Sequence, residues 1–191
     1  MGFKLKSYLP IGAEIISVDI FGYSSRSVPG MEIYGLGSKG RLIREKINFV
    51  TNNYMPMKKA MKKYVISIES SISEEKLKQY SSNLEFPLII LYWAMADIIP
   101  LKNISDCWAT GGVSVDFEIC SRSISEVINH VDSADLLKDK TLICQREDKP
   151  SHVFKVITWE DLISNQEKTG FPSKDLGISS PSTSTTVGAT S

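Results

Sequence analysis

The residues most able to do chemistry by charge lie between Lys39 and Lys63, where eight lysines and arginines face one acid, Glu45. Seven of them, Lys39, Arg41, Arg44, Lys58, Lys59, Lys62 and Lys63, form a candidate nucleic-acid surface, because clustered cations neutralise phosphates. Tyr54 and Tyr64 stand beside the lysines, and aromatic rings stack on single-stranded bases. A solvated helix face is the simpler account of the same charges. A second candidate is GLGSKGR at 35–41. Phosphate cradling needs the spacing G-x-x-x-x-G-K-S/T, which these residues lack. They read instead as a strand-to-helix turn, with Ser38 as N-cap.

Metal chemistry finds little support. His130 and His152 are the two histidines, and Cys107, Cys120 and Cys144 are spread apart, with no zinc-like spacing. The expectation is no metal and no cofactor. Glu85 stands alone at the mouth of an apolar run. Its default role is a carboxylate complementing a helix N-terminus.

The elements that would position these groups follow from periodicity. AEIISVDIF at 13–21 alternates as a strand, with Ile16, Val18 and Ile20 on one face. MEIYGL at 31–36 reads as its partner in a hairpin-like pair. A helix over 39–53 is marked by Ile43, Ile47, Val50 and Tyr54. YVISIES at 64–70 alternates again, and the polar stretch after it has room for one short helix. Phe86 to Ile99 reads as a buried central helix, with Pro87 in its first turn and Pro100 ending it. Residues 107–119 read as a strand entering a hairpin, 123–131 as an amphipathic helix, and 141–144 and 152–157 as strands. Thr158 caps a last short helix. Strands and helices alternate irregularly within one domain, so the expected class is α+β.

Bulk properties exclude several classes. The chain has 191 residues, 42% of them hydrophobic, and a formal net charge of zero. That suits one domain with a real core, and it is not a polycation. The odd cysteine count without C-x-x-C fits a reducing, cytoplasmic setting. MGFKLKSYLPIGAEIISV carries no compact apolar segment of a signal peptide, and no membrane partner is expected. From about Lys168 the composition turns to Ser, Thr, Gly and Pro. The expected organisation is a domain over 1–167 and a disordered tail over 168–191.

Several blocks together resemble a known family. Val28, Pro29, Gly30, Met31, Ile33, Gly35 and Leu36, followed by Arg41, Arg44 and Ile47, fall on the G-L-P-G/A-F-x-I-V-G-L and R-x-R-V/I pattern that opens the N-terminal, ChlI-like domain of ComM/YifB-type magnesium-chelatase-like proteins. YVISIES, LEFPLIILYWAMADII, GGVSVDFEI and VITWEDLIS are similar to later blocks in the same order; Glu85 and Pro87 take the places of the family's Asp and Pro. The resemblance spans about residues 3–166. It implies a Lon-protease-like single domain of the ribosomal protein S5 domain 2-like type, here without the AAA+ ATPase that usually follows. An AAA+ ATPase, DNA or self-association would then be the partners. True Lon proteases use a Ser–Lys pair. The matching place here holds Leu84 and Glu85, with Ser81 and Ser82 just before. No G-G-x-K-E-K stretch follows the hairpin, where SRSISEV stands instead. The expected role is therefore a non-catalytic interaction domain. The alternatives are a divergent Ser–Lys hydrolase using Ser81 or Ser82, and a truncated relic of a ComM-type protein.

Overall fold

The computed structural model describes residues 2–55, 62–101, 103–129, 137, 139–149 and 155–168. Lys58, Lys59, His130, Lys138, His152 and the tail beyond Lys168 lie outside these residues.

Alternation of apolar and polar residues builds the first two strands. β1 (Gly2–Ile11) and β2 (Glu14–Ser25) form a long antiparallel hairpin turned at Gly12. Leu5 and Leu9 on β1, with Val18 and Ile20 on β2, point to the main core. β1 is unassigned in the sequence reading, although Phe3, Leu5, Ser7 and Leu9 alternate with Lys4, Lys6 and Tyr8. β3 (Gly30–Tyr34) leads into α1 (Lys39–Tyr54) and then β4 (Lys63–Ser70). β3 does not pair with β2, as the hairpin-like reading held. β4 inserts between them, parallel to β3 and antiparallel to β2. The reason is that the helical connection through α1 lets β3 and β4 lie side by side as parallel neighbours, which leaves β4 to take the free edge of β2.

α2 (Glu74–Gln79) and a 3-10 turn (Ser81–Leu84) precede α3 (Glu85–Met95). α3 is apolar on every side, which suits a helix walled in by sheet, helix and loop. Gly22 on β2 makes room for it: a Cβ there would come within 2.6 Å of Met95 Sδ. α3 ends four residues before the expected stop. Asp97 adopts φ 55°, its N–H donates to the Ala94 carbonyl, and the Ile98 N–H reaches back to the Trp93 carbonyl at 2.8 Å. This is a Schellman closure, and Asp tolerates the left-handed position it needs.

The rest of the chain extends the sheet. β5 (Cys107–Trp108) pairs parallel to β1, β8 (Thr141–Cys144) to β5, and β9 (Lys155–Thr158) to β8. The seven strands run β3-β4-β2-β1-β5-β8-β9. β6 (Gly112–Val113) and β7 (Ile119–Cys120) form a separate small hairpin. α4 (Ile124–Asn129) and α5 (Trp159–Lys168) complete the elements described.

Two cores result. α1, α3 and α5 cover one sheet face over Leu5, Ile20, Ile66, Trp93 and Trp159. α4 covers the opposite face at one end, over Tyr8, Trp108, Val127, Leu142 and Cys144. The molecule is thus a mixed α/β domain on a sheet of parallel and antiparallel strands. No described helix is long and apolar enough to cross a membrane.

Candidate functional site

The 3-10 turn delivers Glu85 into the protein interior, where it is 4% exposed. A bare buried carboxylate is costly, so its partners matter. Oε1 receives the Lys46 ammonium at 2.7 Å, and Oε2 accepts the Val113 N–H at 2.9 Å. The residue is therefore more than a charge at a helix mouth. It ties α1, α3 and the β6–β7 hairpin together.

Backbone bonds reinforce that junction. The Gly111 N–H donates to the Asn83 carbonyl at 2.9 Å, and the Phe86 N–H donates to the Gly111 carbonyl at 3.0 Å. Two glycines permit the approach. Gly111 sits at φ 134°, and a Cβ on Gly112 would lie 2.5 Å from the Ser82 carbonyl oxygen. The G-G pair is legible in the sequence, but its partner, the start of α3, is not.

The hairpin tip projects from this junction. Its loop closes through the Ser114 N–H to the Glu118 carbonyl at 2.8 Å, while the Ser114 hydroxyl oxygen accepts the Asp116 and Glu118 N–H groups. Phe117 takes φ 61°, a left-handed conformation that costs a bulky residue about 1 kcal/mol or more. Its ring lies against Phe49 of α1, with centroids 4.1 Å apart. Val115 is 90% exposed and Leu42, two turns before Phe49, is 50% exposed. Phe49 and Phe117 thus form a solvent-facing apolar contact across α1 and the hairpin, with Leu42 exposed on the same side of α1 and Val115 exposed in the hairpin loop.

A second junction lies at the far end of α1. The Trp93 indole N–H donates to the Thr51 hydroxyl at 2.8 Å, and Tyr54, Trp93 and Trp159 pack ring to ring. Burial raises the Tyr54 hydroxyl pKa, and the nearby carboxylates of Glu118 and Glu160 raise it further.

Among the described residues the candidate basic side chains do not converge; Lys58 and Lys59 lie outside them. Lys39, Arg41 and Arg44 occupy the first half of α1, where Arg41 Nε binds Glu45 at 3.3 Å and Arg44 reaches the same carboxylate at 4.0 Å. Lys62 and Lys63 stand at the start of β4, beyond the other end of a helix roughly 22 Å long. Lys63 pairs with Glu32 at 2.9 Å, which raises the Lys63 pKa. Lys46 belongs to the Glu85 pair. Ser38 takes a helical conformation and makes no side-chain cap.

The two candidate nucleophiles are also placed. Ser81 is buried, and its hydroxyl donates to the Lys78 carbonyl at 2.8 Å. No lysine amine is hydrogen-bonded to Ser81 or Ser82 among the described residues, and Lys46 points to Glu85 instead. Among the described residues no three His, Cys, Asp or Glu side chains are grouped to hold a metal. Cys107 and Cys144 are buried, with their thiol pKa values pushed up to about 11 and about 12 by desolvation. What the site offers is an apolar surface on a rigid junction, flanked by charges of both signs.

The chain matches no described protein family and no curated protein.

Proposed function

We propose that this chain is a non-catalytic interaction domain of the Lon-protease-like, ribosomal protein S5 domain 2-like type, related to the N-terminal domain of ComM-type proteins and working with an AAA+ ATPase or DNA. The observation that carries the binding role is the exposed apolar surface of Leu42, Phe49 and Phe117, next to a junction tied by the Lys46–Glu85 ion pair. Monomeric proteins rarely keep such a patch without a use for it. A left-handed backbone at position 117 would favour glycine. Phenylalanine there costs backbone energy and supplies an aromatic ring to the surface.

The relationship draws support from the element order. A strand, a helix, a further strand pairing with the first of these, and an apolar helix opening with Glu85 and Pro87 fall where the resembling blocks from Val28 onward lie.

The test is capture of an AAA+ ATPase by the immobilised full chain, alongside DNA titration across a salt series. Capture that weakens on Phe49→Lys is the expected result. If neither ligand binds at low salt, the reading fails.

A further inference from the structure

The charges around the apolar surface have an order along α1. Lys39 and Arg41 lie at its N-terminal end, on either side of Leu42, and Arg41 is 81% exposed. The acids Asp116 and Glu118 flank Phe117, which is stacked on Phe49 nearer the C-terminal end. The surface is therefore cationic at one end and anionic at the other, with its apolar groups between. Leu42 and Phe49 are seven residues apart, about 10.5 Å along the helix. Leu42 is exposed at the cationic end, whereas Phe49 and Phe117 are stacked at the acidic end, with Val115 exposed in the same loop as Phe117.

We infer that this face binds a second copy of the chain, α1 against α1 in antiparallel orientation about a two-fold axis near Glu45. The inference rests on the binding role proposed above and names its occupant. In that arrangement Leu42 of each copy meets Phe49, Phe117 and Val115 of the other. Lys39 and Arg41 of each copy face the other's Asp116 and Glu118. One rotation satisfies both the apolar and the charged requirements, which is the self-complementarity an isologous contact demands. Glu45 near the axis also lies 4.0 Å from Arg44, which limits like-charge repulsion there when Arg41 turns to the other copy. Stable dimers bury about 800 Å² per partner, whereas functional patches on monomers span roughly 300–600 Å². The polar rim must supply the difference, so the dimer is reversible and salt-sensitive.

Sedimentation equilibrium of the full chain over a wide concentration range tests this. The expected mass rises from one copy, 21.3 kDa, toward two. Leu42→Lys, at an exposed helix position, should weaken association at least tenfold while leaving the circular dichroism and melting temperature intact. The double reversal Lys39→Glu/Arg41→Glu should also weaken it, and adding Asp116→Lys/Glu118→Lys should restore it. A single-copy mass up to millimolar chain overturns the inference, as does a dimer indifferent to both Leu42→Lys and the charge reversals. If the chain stays single yet captures an ATPase or DNA in a Phe49-dependent way, self-association is wrong and the binding role stands. If it neither associates nor binds, both fail.

Discussion

Replacing Lys46 by methionine removes the ammonium from Glu85 and leaves most of the side-chain volume in place. At 2.7 Å the two charges attract by about 6 kcal/mol in an effective dielectric of 20, an attraction largely offset by the cost of burying the carboxylate. The asymmetry decides the outcome. The variant keeps Glu85 buried, with its side chain 5% exposed and only the Val113 N–H as partner. Stranding one member of a buried pair costs about 3–5 kcal/mol. Lys46 is 27% exposed, so water can partly replace the ammonium. A loss of about 2–3 kcal/mol is the expected result, or roughly 5–10 °C in melting temperature for a domain of this size. Urea unfolding followed by tryptophan fluorescence measures it. The double variant Lys46→Met/Glu85→Gln should recover at least half of the loss, because a neutral amide can still accept from Val113 and is cheaper to bury. A Lys46→Met variant within 0.5 kcal/mol of the parent chain would refute the reasoning, as the pair would then be no more than a surface contact.

Three further outcomes are expected. Gly112→Ala should destabilise by about 2–3 kcal/mol in urea unfolding, since its Cβ meets a backbone oxygen, while Gly22→Ala should cost less than about 1 kcal/mol because the flexible Met95 thioether can turn aside; equal costs would undo the distinction. For Asp19, burial acts to raise the pKa, but Lys6 at 2.8 Å and Lys4 at 3.5 Å together carry it below the ordinary aspartate value. A lowered carboxyl pKa stabilises the fold above the unfolded-state value, near 4, and that contribution disappears as pH falls through the folded value. Lys6→Met should therefore flatten the acid limb of a stability–pH curve below about pH 4, and an unchanged limb would speak against the pair. With an uncomplexed thiol-reactive dye near pH 8, Cys120 should label in the native chain while Cys107 and Cys144 wait for denaturant; rapid labelling of all three would contradict their burial.

The sequence speaks clearly where one face of an element is buried. The helix from Lys39 and the strand ending at Ser70 follow directly from the spacing of Ile43, Ile47 and Val50 and from the alternation of Tyr64, Ile66 and Ile68. Pairing is less accessible, because alternation shows that β3 is a strand but not which neighbour it takes. The Asp97 stop is hidden for a related reason: an aspartate in an apolar run looks like an interruption, and its left-handed backbone is visible only once Ile98 folds back. The candidate basic surface illustrates the same limit. The six described cations of that stretch, near one another in sequence, part company because a helix spans the distance between them, and Glu45, Glu32 and Glu85 each hold some of them. Glu85 stands out by sequence as a lone carboxylate, but Lys46 and Val113, which come 39 residues before it and 28 after it, have no local signal. Phe117 shows itself only through its backbone angle.

β1 is bonded on one side to β2, its immediate successor, and on the other to Trp108, about a hundred residues later. During synthesis the first hairpin can form at once, while the outer margin of β1 waits for most of the domain to emerge. For that interval a ten-residue strand carrying Leu5 and Leu9 offers unpaired amides and carbonyls to any passing chain. Lys4 and Lys6 alternate with those leucines, and such charges discourage aggregation along an open margin. Their ion pairs with Asp19 lie across that same first hairpin, so the charges can be in place from the moment it closes and guard the margin for the whole interval.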